Sequence, residues 1–403
     1  MENRTRISPK NRLIGVAVIN QFGSWLSFLA IVLYAQQEYG SAASAVVFLV
    51  QTVPALLAAR SISDRIPAQH ARQYWVVGQA VLGALTVALA FVHEWFGAVL
   101  IYVALSMLVK AILSPLYMSL IVGSVAQEQR RATMTGVGAA GSIAIVIAPA
   151  LGGLLLTIIG PTYLFLMNAA TYAIVAVLVL ISRQLRAQDH DPDSSTPRRS
   201  LWSSIPSPRS LMFGPSDSRR FVLSDSVLAT WVLLLLIGAL LNSVETPFSF
   251  DVLGVSQAEF GWILACFGLG GLAVLIVSLV RDSPLLGPRT AVALYAGGLV
   301  LWMFAGRPGA YIGFFLAGIG GALLSGWTRA RLDRWSEQHA VRPQLLWGWA
   351  NQSMLFVNLV VYGAAAVAFA LGVSPLYVAG ALLVFFIPFF VVVARSVRQK
   401  VVV

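Results

Sequence analysis

Apolar runs of about twenty residues recur along this chain, each close to the length an α-helix needs to cross ~30 Å of hydrocarbon. In the first half they are Leu13 to Tyr34, Ala42 to Ala59, Gln73 to His93, Ala98 to Val125, Ala132 to Ile159 and Thr162 to Ile181. In the second half they are Ser226 to Glu245, Gln257 to Val280, Thr290 to Ala305, Ala310 to Thr328, Gln344 to Leu371 and Pro375 to Ala394. Between the halves lies Ser182 to Asp225, rich in Arg, Asp, Ser and Pro, whose composition reads as a linker with a short surface helix near Trp202. Lipid offers no hydrogen bonds to a backbone, so runs of this kind have to be helices. The expected fold is an all-α membrane protein of twelve transmembrane helices in two six-helix bundles, 1–181 and 226–403, joined by the linker 182–225. Composition agrees: 58% hydrophobic residues, 11% charged and a mean hydropathy of +0.81 describe an integral membrane protein.

The net charge of +11 would suggest nucleic acid in a soluble chain. Here all the lysines and arginines except Arg307 and Lys110 fall in alternate loops or at the termini. That is the positive-inside pattern of cytoplasmic loops, so no nucleic-acid partner is expected and both termini are placed in the cytoplasm. The basic start, M-E-N-R-T-R-I-S-P-K-N-R, precedes a run longer than a signal-peptide core, which reads as a retained first span. The single cysteine, Cys266, excludes an internal disulfide and a cysteine-cluster metal site. His70, His93, His190 and His339 are scattered without ligand spacing. No nucleophile elbow, phosphate loop or zinc-protease helix is present, so neither an enzyme nor a cofactor is expected. The glycine pairs in F-G-L-G-G-L-A and A-G-I-G-G-A-L sit in apolar helices, where close helix packing is their use.

Lys110 is the only basic residue inside a span. A charge at mid-bilayer costs about 2.5 to 3.5 kcal/mol on insertion scales, so Lys110 is expected to face protein or water. Ser106, Lys110, Ser114 and Tyr117 follow i, i+4, i+8, i+11 and form one polar stripe. Asn20, Ser24 and Ser27 share a second helical face, and Asn351, Asn358 and Tyr362 a third. Among carboxylates, Glu38 and Asp251 are assigned to outer loops, Asp225 to the inner end of the seventh span and Glu245 to its outer end. Glu245 is the best candidate to carry a proton.

The loops S-D-R-I-P-A-Q-H-A-R-Q after the second span and R-D-S-P-L-L-G-P-R-T after the eighth echo each other weakly, as a six-helix repeat requires. Asp64, Arg65 and Arg72 of the first loop resemble the Gly-x-Leu-x-Asp-Arg-x-Gly-Arg-Arg motif of the major facilitator superfamily, with Arg60 at the leading glycine and the trailing basic pair reduced to Arg72. In the fifth span Pro149, Gly152 and Gly153 match the antiporter motif Gly-x-x-x-Gly-Pro-x-x-Gly-Gly, with Ala144 and Ala148 replacing its first two glycines. With Y-L-F-L-M-N-A-A-T-Y in the sixth span, the chain resembles the macrolide-efflux and enterobactin-exporter-like branch.

This resemblance implies a secondary active transporter of a bacterial cytoplasmic membrane, exporting amphipathic small molecules by alternating access, coupled to protons and working as a monomer, and Lys110 points toward substrates that carry an anionic group. In that family spans 1, 4, 7 and 10 line a central cavity, with 2, 5, 8 and 11 beside it. It thus implies substrate contacts at Asn20, Gln21, Ser24, Trp25, Gln51, Ser106, Lys110, Ser114, Tyr117, Asn242, Asn351 and Asn358, near Glu245. An importer or facilitator of the same fold, or a transport-inactive membrane partner, remains open at this point. The charge pattern makes its own prediction, testable with Ser195→Cys in a Cys266-free background. An impermeant thiol reagent added outside intact cells should not react with it, and should do so once the membrane is opened; labelling from outside would refute the orientation.

Overall fold

The structure, a computed structural model, describes residues 8–58, 70–182, 185, 225–280, 286–341 and 343–398. Within these the chain is helical, with no strand, and nine helices are long and apolar enough to cross a membrane. The elements are α1 (Pro9–Ala58), α2 (Ala71–Val92), α3 (Phe96–Ser124), α4 (Gln127–Leu180), α5 (Ser226–Pro247) with a π-turn at Phe248–Val252, α6 (Gln257–Val280), α7 (Pro288–Phe304), α8 (Gly306–Gln338), α9 (Pro343–Ala370) and α10 (Pro375–Arg398). Large apolar side chains such as Phe91, Ile158 and Ile387 lie exposed. That would be costly in water and is what a lipid-facing surface requires.

Two helices are broken where the apolar pattern separates spans. Gly40 interrupts α1 with φ 78° and ψ −174°, and Gly160 interrupts α4 with φ 75° and ψ 174°. Only glycine takes such backbone values without a Cβ clash, and Pro161 reinforces the second break by removing a helix donor. Two expected ends move. The seventh span was assigned to stop at Glu245, but α5 runs through Pro247 into the π-turn, where Leu253 N–H reaches back to Phe248 O at 3.1 Å. Proline gives up its own N–H, and a wider turn carries the chain past it. α8 extends ten residues beyond the predicted Thr328, because R-A-R-L-D-R-W-S-E-Q is polar yet made largely of good helix formers.

The chain divides into two compact units, Met1–Ile31 with Val53–Ile205, and Val32–Thr52 with Pro206–Val403. The stretch around the Gly40 break is grouped by contact with the second unit. Glu38 and Asp251, assigned to outer loops, lie instead in α1 and in the π-turn. Asp251 accepts hydrogen bonds from Gln36 Nε2 at 3.0 Å and Ser41 Oγ at 2.5 Å, both within that unit.

The first unit's core gathers Leu13 and Val16 of α1, Trp75 and Leu82 of α2, Leu113 and Leu116 of α3, and Tyr172 and Val175 of α4. Its arginines close helix ends. Arg72 donates from Nε to Val179 O at 3.3 Å and from Nη2 to Leu180 O at 2.5 Å, at the end of α4. Arg130 does the same for α3 through Val125 O at 3.1 Å and Val122 O at 2.6 Å. Cations at C-terminal carbonyls satisfy orphan acceptors and oppose the helix dipole.

In the second unit the glycine pairs take the packing role expected of them. A Cβ on Gly270 of α6 would lie 2.2 Å from Phe315 O of α8, and one on Gly318 of α8 would lie 2.0 Å from Phe267 O. Gly298 of α7 and Gly313 of α8 approach in the same way, each 2.4 Å from the other's carbonyl oxygen once a Cβ is added. Backbone carbonyls cannot step aside as a flexible side chain can. Gly318→Ala is therefore expected to destabilise the purified protein by about 1 to 3 kcal/mol, the usual cost of overpacking. Gly326→Ala, on the same helix with open space around it, should leave thermal unfolding unchanged; equal behaviour of the two would refute the close approach.

Candidate functional site

In the first unit, three helices bring polar groups together. Lys110 of α3 is half-buried and interacts electrostatically with the hydroxyl of Tyr172 on α4. Tyr172 is fully buried, and its Oη also lies 3.2 Å from Ser24 Oγ of α1. One turn back on α4, Asn168 bonds Tyr172, and its Nδ2 donates to Ser27 Oγ at 2.7 Å. Thr171 Oγ1 donates to Asn168 Oδ1 at 3.1 Å. Gly23 lets α1 come this close, since a Cβ there would fall 2.1 Å from Thr171 Oγ1 and 2.5 Å from Asn168 Oδ1. Asn20, one turn from Ser24, has a buried Oδ1 with no partner among the described residues. Lys110 makes no ion pair with a carboxylate among those residues.

The Asn20, Ser24, Ser27 face read from sequence therefore meets Lys110 through Tyr172 and Asn168. Neither of those two was among the predicted site residues. Their signal is an i, i+4 pair of polar residues in the sixth apolar run. The rest of the Lys110 stripe has other partners. Ser106 Oγ donates to Val103 O at 3.1 Å on its own helix, and Ser114 is exposed. Tyr117 donates to Leu13 O and stacks on Trp75 at 5.5 Å, so it clamps the core. Gln21 is exposed, while Trp25 is half-buried with its ring edge-on to Phe28 at 5.7 Å.

In the second unit Glu245 of α5 is half-buried and interacts electrostatically with Tyr295 of α7 and Tyr362 of α9. It makes no ion pair among the described residues. The π-turn beyond it puts Glu245 about 10 Å inside the end of its span, deeper than the outer end assigned from sequence. Asn242 Nδ2 donates to Tyr362 Oη at 3.3 Å, and Phe48 packs on the Tyr362 ring at 5.3 Å. Gln51 has a buried Oε1 with no partner among the described residues. On α9, Asn351 is exposed and Asn358 half-buried.

Of the motif residues, Asp64 and Arg65 lie outside the described residues, and Arg72 caps α4 as described above. Pro149 stands within α4. Gly152 and Gly153 are buried there, and a Cβ on Gly152 would sit 3.1 Å from Leu29 and 3.2 Å from Leu26 of α1. An apolar cleft of about 580 Å³ lies over the Gly160 break, lined by Ile158, Ile159, Tyr163, Leu166, Met167 and Ala170. It carries no charge and lies among exposed apolar side chains, so it suits a lipid chain rather than a polar substrate. Ser27→Ala would strip the buried Asn168 amide of its acceptor, at a cost of about 1 kcal/mol. A lowered unfolding temperature in detergent would show it; an unchanged one would mean that the amide finds another partner.

Comparison with known proteins bears on this arrangement. The chain resembles a solved bacterial metal transporter at 15% identity and TM-score 0.64, over 97% of this chain and 99% of the other. It resembles the nucleoside transporter NupG at 12% identity and TM-score 0.65, over 96% and 99% of the two chains. A bacterial homologue of the iron transporter ferroportin, in its inward-facing state, matches at 14% identity and TM-score 0.66, over 96% and 98%. At such identities the likeness establishes the fold and no substrate. No curated protein sequence matches significantly. The description of the Major Facilitator Superfamily matches residues 13–341, well over half of the chain. The protein is a multi-pass membrane transporter, not an enzyme, and belongs to the major facilitator superfamily.

Proposed function

We propose that the protein is a proton-coupled exporter of amphipathic, anionic small molecules such as a drug, siderophore or other natural product, of the macrolide-efflux and enterobactin-exporter-like branch. It works as a monomer in a bacterial cytoplasmic membrane, with both termini cytoplasmic. The observation that carries this reading is Lys110, an ammonium inside a span beside the Tyr172 hydroxyl and with no carboxylate partner among the described residues. Burial of such a charge does little for stability. Tyr172, itself bonded to Ser24, is its polar neighbour, and no carboxylate among the described residues neutralises it, which leaves its charge for an anionic group of the substrate.

Twelve crossings in two six-helix bundles, 1–181 and 226–403 about the linker 182–225, are supported by the glycine breaks in α1 and α4 and by the 17-residue α7. Alternating access then follows from rocking of the two bundles. Glu245, an intramembrane carboxylate without an ion-pair partner among the described residues, is the proton carrier in this reading. Export rather than import is supported by the Pro149, Gly152, Gly153 motif and the close approach of Gly152 to α1. Similarity to a metal transporter at 15% identity carries the fold and not the cargo.

The test is efflux from cells or proteoliposomes together with thermal unfolding of the same preparations. Lys110→Gln should keep the fold and lose at least about tenfold in transport of an anionic substrate, and Lys110→Arg should recover part of it at most, since a planar fork does not replace a compact ammonium. Glu245→Gln should abolish the dependence on a proton gradient while leaving exchange of substrate. Normal efflux by Lys110→Gln would remove Lys110 from the site. A joint loss of efflux and stability would make it a structural residue, and accumulation of substrate inside cells carrying the protein would establish an importer.

A further inference from the structure

The basic end of α8 gathers buried hydrogen-bond donors that no group in the described protein takes up. α8 begins at Gly306 and is 33 residues long. At 1.5 Å per residue, ~30 Å of hydrocarbon is used up near Trp327, so the next turns lie at headgroup depth. There Thr328, Arg331, Leu332 and Trp335 follow i, i+3, i+4, i+7 on one face. Leu332 and Trp335 pack with Trp349 of α9 in one buried cluster. Thr328 Oγ1 and Arg331 Nε on that face, and Trp349 Nε1 in the cluster, are buried without a partner among the described residues, and Thr328 and Trp349 are only 1% and 4% exposed.

The Arg331 guanidinium lies 5.3 Å over the Trp327 ring, a contact that orients it without consuming its N–H groups. Asp225 attracts Arg331 electrostatically but makes no ion pair with it. Its oxygens are already engaged, Oδ1 by Val227 N–H at 2.8 Å and Leu228 N–H at 3.2 Å, Oδ2 by Trp335 Nε1 at 2.7 Å. Arg334, one turn along, is exposed and adds positive potential. A cation, an indole N–H and a hydroxyl, all unpaired at headgroup depth beside tryptophan rings, call for a ligand that only accepts hydrogen bonds and carries negative charge. A water molecule could meet the hydrogen bonds but not the charge.

We propose that Arg331, Trp349 and Thr328 form a phosphate-binding site at the membrane surface, occupied by the headgroup phosphate of an anionic lipid or by free phosphate. Such a site is separate from the Lys110 cluster and does not depend on which substrate is carried. The full-length protein would be unfolded thermally in phosphatidylcholine nanodiscs with and without phosphatidylglycerol, and in detergent with inorganic phosphate against chloride at equal ionic strength.

A rise of a few degrees with phosphatidylglycerol is expected for the wild type, lost in Arg331→Gln and in Trp349→Phe and kept in Arg334→Gln. Trp349→Phe retains the packed ring and removes the donor, so it gives the answer even where Arg331→Gln folds poorly. A rise with inorganic phosphate alone, with the same dependence on variants, would support the site and assign it to a soluble phosphate. No rise in either arm, a rise that survives both Arg331→Gln and Trp349→Phe, or an equal loss in Arg334→Gln, which marks general surface charge, would overturn it.

Discussion

In hydrocarbon there is no solvent to accept a hydrogen bond, so each backbone N–H and C=O of a spanning segment has to be satisfied from within the protein. The rest of this structure follows from that demand. It makes every crossing a helix, and it makes each break in a helix costly unless the residue there allows it, as Gly40 and Gly160 do. It also sets what happens at helix ends. Arg72 and Arg130, which the charge pattern marks only as loop residues, turn back to cover the last carbonyls of α4 and α3. The same side chains thus belong to the basic clusters of the sequence and finish the helices.

Association between helices has to work without a hydrophobic drive, since lipid tails are as apolar as leucine. Two solutions are visible. In the second unit, glycines remove the side chain altogether and the backbones of α6, α7 and α8 meet at carbonyl distance. In the first unit, Gly23 opens space for a hydrogen-bonded seam in which Ser24, Ser27, Asn168, Thr171 and Tyr172 hold α1 against α4. Lys110 enters that seam from α3 and is solvated by it. A charge inside a span is costly unless protein polar groups or water receive it, and here the Tyr172 hydroxyl of the seam lies beside it. The polar seam is therefore both the glue of the first unit and the setting of its candidate site.

Much of this was open to the unaided sequence. Run length and polarity gave the class of fold and the glycine pairs their packing role, because length and side-chain volume are local properties. Lys110 stood out since its cost is read against lipid and needs no neighbour to be known. What misled was local as well: the seventh apolar run reads as ending at Glu245, but a π-turn carries the helix past Pro247, and R-A-R-L-D-R-W-S-E-Q lies beyond the predicted end of its span, but it is helical. In both cases backbone geometry tolerated what composition discouraged.

The sequence by itself determined that the chain is a helical membrane protein and that Lys110 is its exceptional charge, because both rest on the free energy of single segments in lipid. Only the tertiary structure decided which polar residues share a site. Tyr117, on the same stripe as Lys110, faces Leu13 and Trp75, while Tyr172 and Asn168, sixty residues away along the chain, supply the hydroxyl and amide that Lys110 and α1 meet. Helical periodicity states which residues share a face. Which helix that face meets depends on packing between segments distant in sequence, and that information resides in the assembled fold.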